Sequence, residues 1–212
     1  MKPSAHIRPR QAREVRRAAR HSYRIGKPLN LHVTIDYGWR ENGDELQPSR
    51  LHRDIRRRIW SWWDYKRKKG QVTGKFCDLT IWEAPNGKHH AHWLIHIPEE
   101  LMEEARLAIQ DRSRKVLPQV SHDTVFQQEI ENLNGLIDYL LKGTEPEYAK
   151  SVGIDPEYQG AIWCRRAVPS MSLGRAARGR DWRTGGVVNT ALKQGLPKPR
   201  EVREMLREGV WH

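Results

Sequence analysis

The sequence predicts an α+β fold in which helices flank a central antiparallel β-sheet. Three observations predict it. Residues 29–35 alternate between apolar and polar side chains, an Asn-Gly pair separates two further strand-like stretches, and other segments carry apolar residues at helical spacing. The resulting order is strand, helix, hairpin, helix, helix, which is typical of an antiparallel sheet with helices packed against it.

The first strand is predicted over 29–35, where apolar residues recur at every second position. A helix is predicted over 48–69, with Ser49 as its N-cap and Gly70 as its stop. Its apolar residues recur at intervals of three and four, and arginine fills the other face. This spacing is typical of an amphipathic helix.

A β-hairpin is predicted next, with one strand over 72–83 and its partner over 88–97. The segment Ala84-Pro85-Asn86-Gly87 between them contains the Asn-Gly pair, the strongest short signal for a two-residue hairpin turn. The two strands are therefore expected to pair antiparallel.

Two helices are predicted after the hairpin, over 98–111 and 129–141, joined by a connector that contains Pro118. The first has acidic residues in its first turn, where the helix dipole favours them. The second carries an apolar stripe and ends at Gly143. The Gly-, Pro- and Arg-rich tail is predicted to hold one further short helix over 199–208.

These elements place one domain over residues 29–145. Residues 1–28 are predicted to be a basic N-terminal arm, which forms either a short helix over 10–21 or a flexible segment. Residues 146–212 are predicted to be a basic C-terminal extension.

The charge balance indicates a nucleic-acid partner. Lys and Arg number 38 against 26 acidic residues, a net charge of +12, and such a field attracts polyanions through counterion release. Arginines and lysines cluster over residues 8–24, 56–69 and 165–183, and tryptophans lie in the second and third of these clusters. Aromatic faces among arginines suit unstacked bases. Trp82 and Trp93 are instead predicted to be core. The residues predicted to bind nucleic acid are Arg56, Arg57, Arg58, Lys66, Arg67, Arg165, Arg166, Arg175 and Arg178.

The composition argues against several other classes of protein. No apolar run approaches the ~18–20 residues of a membrane span, so no membrane partner is expected. The N-terminus lacks the apolar stretch of a secretory signal. Cys77 and Cys164 are too few for a disulfide scaffold and too isolated for a zinc ribbon. A cytoplasmic location with reduced thiols is therefore expected.

The hairpin brings together side chains that can bind a metal. Residues two apart on a strand point to the same side, so His90 and His92 share a face. A two-residue turn at the Asn-Gly pair puts Glu83 opposite His90 and Ile81 opposite His92. Two imidazoles and a carboxylate form a workable divalent-metal site, suited to Mn or Mg when the substrate supplies phosphate oxygens.

Two neighbouring histidines are not expected in this site. His89 points to the opposite face, and His96 lies four residues beyond His92, roughly 13 Å away at ~3.3 Å per residue. The alternative interpretation is a row of solvated or packed histidines, because a His-x-His pair alone is a weak signal in a chain with ten histidines.

The histidine pair and its neighbours resemble the signature of the HUH endonucleases, specifically the rolling-circle replication initiators (Rep proteins). The segment Leu31-His32-Val33-Thr34-Ile35 resembles their opening strand motif, and Glu83 matches their usual third ligand. Downstream, Tyr139 and Lys142 match their helical Tyr-x-x-Lys motif. The resemblance covers residues 29–145 and implies the ferredoxin- or palm-like nuclease fold of that family.

The resemblance implies a metal-dependent enzyme that nicks single-stranded DNA at an origin or a hairpin. Tyr139 would attack the phosphate to give a 5′-phosphotyrosine and a free 3′-hydroxyl, and Lys142 would stabilise developing charge one helical turn away. A phenol with a pKa of ~10 is a poor nucleophile at neutral pH, so Mn or Mg at the hairpin would polarise the phosphate. No second tyrosine follows one turn after Tyr139, which implies a single-tyrosine enzyme. Ala91, between the two histidines, is smaller than the hydrophobic residue usual at that position in the family.

Other interpretations stay open. A single-strand transposase shares the histidine pair and the tyrosine, and the sequence does not separate it from an initiator. A conjugative relaxase fits less well, since it usually has its tyrosine near the N-terminus and a third histidine ligand. A non-catalytic DNA-binding module is a further alternative, whereas Leu94 breaks the pattern of the histidine-triad hydrolases.

The sequence has no Gly-x-x-x-x-Gly-Lys-Ser/Thr loop, so a separate helicase is expected. It predicts no oligomeric state.

Overall fold

The computed structural model describes residues 2–39, 46–117 and 124–184. Within them, five strands form one antiparallel sheet in the order β4-β1-β3-β2-β5, with helices packed against it. The predicted α+β fold class is confirmed. The strands are β1 (Leu31–Trp39), β2 (Asp78–Glu83), β3 (Lys88–Ile95), β4 (Val125–Glu129) and β5 (Ala167–Pro169).

The described residues also form six α-helices and two short 3-10 turns. The helices are α1 (Pro9–Arg24), α2 (Gln47–Lys68), α3 (Met102–Val116), α4 (Leu133–Leu140), α5 (Pro146–Ser151) and α6 (Arg175–Thr184), and the turns are Pro85–Gly87 and Glu99–Leu101. α2 follows the prediction closely, but Ser49 is not its N-cap. The N-cap is Leu46, and the Ser49 hydroxyl donates to the Leu46 carbonyl at 2.9 Å from inside the first turn. None of the described helices is long and apolar enough to cross a membrane.

The two faces of the sheet are covered by different helices. On one face, Ile55, Ile59 and Trp63 of α2 pack with Val33 and Trp93 of the sheet in one core, to which α3 also contributes. This contact explains the three-and-four spacing of the apolar residues in α2, because that spacing lines one side of a helix. Trp82 and Trp93 are buried as predicted, and Trp62 and Trp63 join the core rather than a base-binding surface.

On the opposite face, α1 and α4 cover part of the sheet. Leu79, Ile81 and Leu94 pack there in a second core with apolar residues of both helices. Since side chains alternate along a strand, the even-numbered residues of β3 point to this face. His90 and His92 therefore lie on the α1–α4 side of the sheet, and α2 lies on the other side.

The hairpin has the register that the sequence predicts. Glu83 pairs with His90 and Ile81 with His92. Asn86 and Gly87 have φ angles of 52° and 82°, the two consecutive left-handed residues that a type I′ turn requires. β2 begins at Asp78, later than the predicted start of 72.

The region after α3 differs from the prediction. The predicted helix over 129–141 begins only at Leu133, where the Asn132 side chain accepts a hydrogen bond from the Gly135 amide at 2.9 Å. The strand β4 was not predicted. It is a short edge strand paired to β1 alone, and most of its side chains are solvent-exposed, so it lacks the apolar alternation that marks a half-buried strand.

Both ends of the described chain contribute to the fold, and of the two alternatives for the N-terminal arm the structure has the helix, α1. α1 buries Ala12, Val15 and Ala18 in the second core, and the Ile7 amide donates to the Gly143 carbonyl at 2.8 Å. β5 pairs with β2 and completes the sheet. The composition of these segments is basic, but their apolar residues are spaced to fill the α1–α4 face. The predicted helix over 199–208 lies outside the described residues.

Candidate metal centre and nucleophile

Glu83, His90 and His92 come together at the end of the hairpin. One ligand atom from each lies within 4.8 Å of the others. The His90 Nε2 atom is 3.2 Å from Glu83 Oε2, and the His92 Nε2 atom is 3.3 Å from the same oxygen. Glu83 and His92 are buried and His90 is half-buried, so the cluster opens to solvent on the His90 side.

The carboxyl group of Glu83 is ionised in this environment. Burial by itself would raise its pKa, but the neighbouring imidazoles of His90 and His92 outweigh that effect and lower the pKa of Glu83 to about 2. Glu83 therefore supplies a negative charge to the cluster at neutral pH.

Two atoms of this cluster fit a bound cation. Glu83 Oε1 is buried and has no hydrogen-bond partner among the described residues, and the buried His92 Nε2 has only its 3.3 Å contact with Glu83 Oε2. Buried polar atoms nearly always have hydrogen-bond partners, so the unpartnered Glu83 Oε1 atom needs an explanation. Two imidazoles and a carboxylate form a suitable donor set for a divalent transition-type ion.

A third histidine, His32 of β1, adjoins the cluster and was not predicted to have a role there. Its Nε2 atom is 3.0 Å from His92 Nδ1, and its Nδ1 atom is 3.0 Å from Gln128 Nε2 on β4. Burial first, and then the proximity of His92, lower the pKa of His32 to about 4, so it is neutral at pH 7. The alternation of β1 puts His32 and Thr34 on its polar face. That alternation is visible in the sequence and could have indicated that His32 faces the polar side of the sheet.

The turn end of the hairpin packs against the segment before β5. The Ala84 amide donates to the Gln159 carbonyl at 2.9 Å, directly after Glu83. Gly160 has φ +70°, and a Cβ atom there would lie 1.9 Å from the Ala84 carbonyl oxygen. Only glycine therefore permits this approach, which fixes the position of Glu83.

Tyr139 is an exposed residue on α4, with 55% of its surface accessible. The ammonium group of Lys142 donates to the Tyr139 hydroxyl at 3.1 Å and also lies 3.1 Å from Glu157. Burial lowers the pKa of Lys142, but its bonds to Tyr139 and Glu157 and the charge of Glu83 raise it above its usual value overall. Lys142 is therefore a cation that contacts the Tyr139 hydroxyl and interacts electrostatically with Glu83.

Two other tyrosines follow the histidine pair. Tyr148 is half-buried on α5 with the Arg13 guanidinium 5.6 Å from the centre of its ring. Tyr158 is exposed and directly precedes Gln159, the residue that contacts the hairpin. Tyr158 is thus the closer competitor for a role as nucleophile.

Three of the residues predicted to bind nucleic acid have internal partners instead. Arg56 forms a two-pronged ion pair with the buried carboxylate of Asp78, which also accepts from Trp93 Nε1 at 2.9 Å. Lys66 is buried and paired with Glu104. Both cations lie at the edge of the α2 core, where they neutralise acidic groups, and these contacts do not support a role in nucleic-acid binding.

Arg166 is the third of these residues. It is 1% exposed, and its guanidinium donates to the backbone carbonyls of Ser4, Gln159 and Gly160. A buried arginine that satisfies three carbonyls joins two segments of the chain and cannot reach a phosphate. Its neighbour Arg165 is exposed.

The remaining predicted cations differ in location. Arg57, Arg58 and Arg67 are exposed on α2, across the sheet from the ligand cluster. Arg175 is exposed on α6, and Arg178 pairs with Glu14 of α1.

An open cleft of about 430 Å³ lies beside the cluster. Thr34, Asp36, Lys88, His90 and Phe126 line it. Asp36 and Lys88 form an ion pair at 2.5 Å across it, and the Phe126 ring is 57% exposed at its edge. The cleft therefore offers an aromatic face and charged groups next to His90.

Comparisons with known proteins identify no family. No protein-family model and no curated protein sequence matches the chain. The catalytic domain of the adeno-associated virus type 5 Rep protein is similar to it in structure, with a TM-score of 0.41, 14% identity, and coverage of 77% of this chain and 98% of that one. A hydrolase from Listeria innocua has a TM-score of 0.31 and 12% identity over 68% of this chain and 81% of that one. At TM-scores below 0.5 neither similarity establishes the fold or activity of this chain.

Proposed function

We propose that this protein is a metal-dependent endonuclease of the HUH type, which nicks single-stranded DNA through a covalent bond to Tyr139. One observation carries the proposal. The Glu83–His90–His92 cluster, with the unpartnered Glu83 Oε1 atom, lies on the same face of the sheet as α4, where Tyr139 is exposed and hydrogen-bonded to Lys142.

Glu83, His90 and His92 would hold a divalent ion, Mn or Mg. When bound, such an ion supplies a Lewis acid for a phosphate oxygen. The half-buried His90 marks the open side of this site, where the cleft lined by Phe126 gives room for a nucleotide.

In the proposed reaction the Tyr139 oxygen forms a bond to phosphorus and the bond from phosphorus to the 3′-oxygen breaks. The phenolic proton passes to solvent, because Lys142 is already protonated, and the leaving 3′-oxygen takes up a proton. The Lys142 ammonium stabilises the developing charge on the Tyr139 oxygen. The phosphotyrosine retains the bond energy, so the 3′-hydroxyl can attack it later and rejoin the strand.

We further propose that the biological role is initiation of rolling-circle replication on a plasmid, phage or mobile element, with a separate helicase. The net charge of +12 supports a nucleic-acid partner. A single-strand transposase of the same type would use the same residues, and it differs in its DNA substrate.

The test is incubation of the protein with single-stranded oligonucleotides of randomised sequence, labelled at the 3′ end, and MnCl₂. We expect a covalent protein–DNA band that disappears with EDTA and in Tyr139→Phe, and a nucleotide adduct on the peptide that contains Tyr139. Tyr158→Phe is the matched control and should keep the band. An adduct on Tyr158 would move the nucleophile to that residue, and binding with no adduct on any oligonucleotide would favour a non-catalytic DNA-binding module.

A further inference from the structure

α1 presents a stripe of arginines that the proposed chemistry does not use. The helix buries Ala12, Val15, Ala18 and Ala19 against the sheet. Its opposite side exposes Arg10, Arg13, Arg17 and Arg20, at helical intervals of three, four and three residues. These four positions, called here the α1 arginine stripe, extend about 15 Å along the helix at ~1.5 Å per residue.

The charge of the stripe is poorly neutralised within the protein. Glu14 is the acidic residue of α1, and it is shared between Arg17 at 3.3 Å and Arg178 of α6. Among the described residues, Arg10, Arg13 and Arg20 form no ion pair with a carboxylate. Burial, and then the charges of Arg24, Arg16 and Arg17, lower the pKa of Arg20. Such mutual repulsion opposes folding, and a polyanion would relieve it.

The stripe adjoins the helix of the candidate nucleophile. Arg16, on the flank of α1, forms an ion pair with Asp138 at 2.7 Å, and Asp138 directly precedes Tyr139. α1 and α4 lie on the same face of the sheet as the ligand cluster. A strand that reaches Tyr139 therefore has a row of guanidinium groups beside it.

The exposed cations of α2, Arg57, Arg58 and Arg67, differ from the stripe in location and, for two of them, in having an acidic partner. They lie across the sheet, and two of them are matched by nearby acids, Arg57 by Asp54 at 3.2 Å and Arg67 by Asp64 at 2.6 Å. A strand on α2 would need to pass around the edge of the sheet to reach the ligand cluster.

We infer that the α1 arginine stripe binds the phosphate backbone of the single-stranded DNA that is presented to Tyr139. That the bound strand is the substrate of Tyr139 rests on the proposed function. That the stripe binds a phosphate backbone does not depend on it. Guanidinium groups match phosphate by paired hydrogen bonds, and four of them along 15 Å follow a backbone without reading its bases.

The experiment compares two triple variants that each remove three positive charges. The first is Arg10→Gln, Arg13→Gln and Arg20→Gln on α1. The matched control is Arg57→Gln, Arg58→Gln and Arg67→Gln on α2. Glutamine keeps helix propensity, and circular dichroism with thermal melting verifies that both variants fold. The dissociation constant for a fluorescent single-stranded oligonucleotide is measured in EDTA over a series of salt concentrations.

For the α1 variant we expect at least a tenfold weaker affinity and a log–log salt slope lower by about 2, from ~0.7 for each lost phosphate contact. The α2 variant should keep the slope of the unmodified protein. An equal loss in both variants would show a diffuse effect of net charge and overturn the inference. A loss in the α2 variant alone would overturn it in favour of an α2 binding surface, and unchanged slopes in both would also overturn it.

Failure of the inference is distinguishable from failure of the proposed function. If the chain binds DNA through α1 but forms no covalent adduct with Mn²⁺, the binding surface stands and the nickase proposal falls. If the adduct on Tyr139 forms and the α1 variant has an unchanged salt slope and affinity, the nickase stands and the α1 inference falls.

Discussion

His32 holds His92 through a hydrogen bond between His32 Nε2 and His92 Nδ1, 3.0 Å apart. This contact determines which nitrogen of His92 is available to a metal. For Nε2 to offer a lone pair, Nδ1 must carry the proton and donate it to His32. His32 then carries its own proton on Nδ1. The Gln128 Nε2 atom, 3.0 Å from that nitrogen, can only donate, so this proton arrangement requires the Gln128 amide to turn and present its oxygen.

We therefore expect His32→Ala to weaken divalent-ion binding by about 10- to 100-fold, the usual effect of removing a partner behind a ligand. Calorimetric titration with MnCl₂ measures the affinity directly. The control is His96→Ala, because His96 is a half-buried histidine that bonds to the Pro28 carbonyl, away from the cluster. An Mn²⁺ affinity of His32→Ala equal to that of the unmodified protein would contradict a positioning role.

The ligands themselves give the second prediction. Saturating MnCl₂ should raise the melting temperature of the unmodified protein, because an ion that binds only the folded state stabilises it. His90→Ala, His92→Ala and Glu83→Gln should each abolish that increase. His89→Ala is the control; His89 lies on the same strand but on the opposite face, so this variant should be less stable yet keep the Mn²⁺ response. A retained response in His92→Ala would exclude His92 as a ligand.

Gly160 tests whether the segment before β5 supports the hairpin. Gly160→Ala should destabilise the fold by roughly 3 kcal/mol, combining the left-handed backbone with a clash against the Ala84 carbonyl. Gly153→Ala is the matched control, since Gly153 has φ +73° and no described atom lies within 4 Å of its Cβ position. It should cost only about 1 kcal/mol. Urea denaturation measures both, and equal losses would mean that the Ala84 contact adjusts easily.

The fourth prediction concerns pH. His52 is buried between Tyr37 and Thr80, with hydrogen bonds of 2.8 and 3.1 Å. Burial, and then the charge of Arg56, lower the pKa of His52 from 6.5 to about 3. Between these values the unfolded chain binds a proton that the folded chain does not. The free energy of unfolding should therefore fall by up to about 1.4 kcal/mol per pH unit as the pH drops from 6.5 towards 3.

The measurement is urea denaturation of the unmodified protein and His52→Gln at pH 7, 6 and 5. Glutamine can keep one hydrogen bond and does not titrate, so the pH slope of the variant should be shallower by about one proton. Parallel slopes would show that His52 is protonated in the folded state or that its environment opens in acid.

The local signals of this sequence predict its hairpin well, because turn chemistry sets the register. The Asn-Gly pair is sufficient to place Glu83 opposite His90, and the alternation of strand side chains places His92 beside them. The amphipathic helix α2 is predicted for the same reason: its period is visible within the segment itself. These features depend on neighbours a few residues apart.

Features that depend on distant partners were missed. β4 is recognisable as a strand only through its pairing with β1, and β5 only through its pairing with β2. The role of His32 depends on β1 lying next to β3. Arg166 was missed for the same reason. A cluster of arginines in a sequence indicates an exposed surface, but the carbonyls that bind Arg166 belong to Ser4, Gln159 and Gly160, and only the fold brings them together.

Lys142 provides the last prediction. Its ammonium group contacts the Tyr139 hydroxyl and is held by Glu157, so it can stabilise charge on the phenolic oxygen during attack. Lys142→Met keeps the length of the side chain and removes the charge. We expect it to slow adduct formation about 100-fold, the scale of losing one preorganised donor, without abolishing the reaction. Lys142→Arg should recover part of the rate, since it restores a cation but not the same geometry.

The measurement is the single-turnover rate of covalent attachment at saturating DNA and MnCl₂, with Glu157→Gln as a control that should change the rate only slightly. Because DNA affinity is assigned to α1, the dissociation constants of all three variants should stay near that of the unmodified protein. A Lys142→Met rate equal to the unmodified rate would show that Lys142 is only a packing partner of Tyr139.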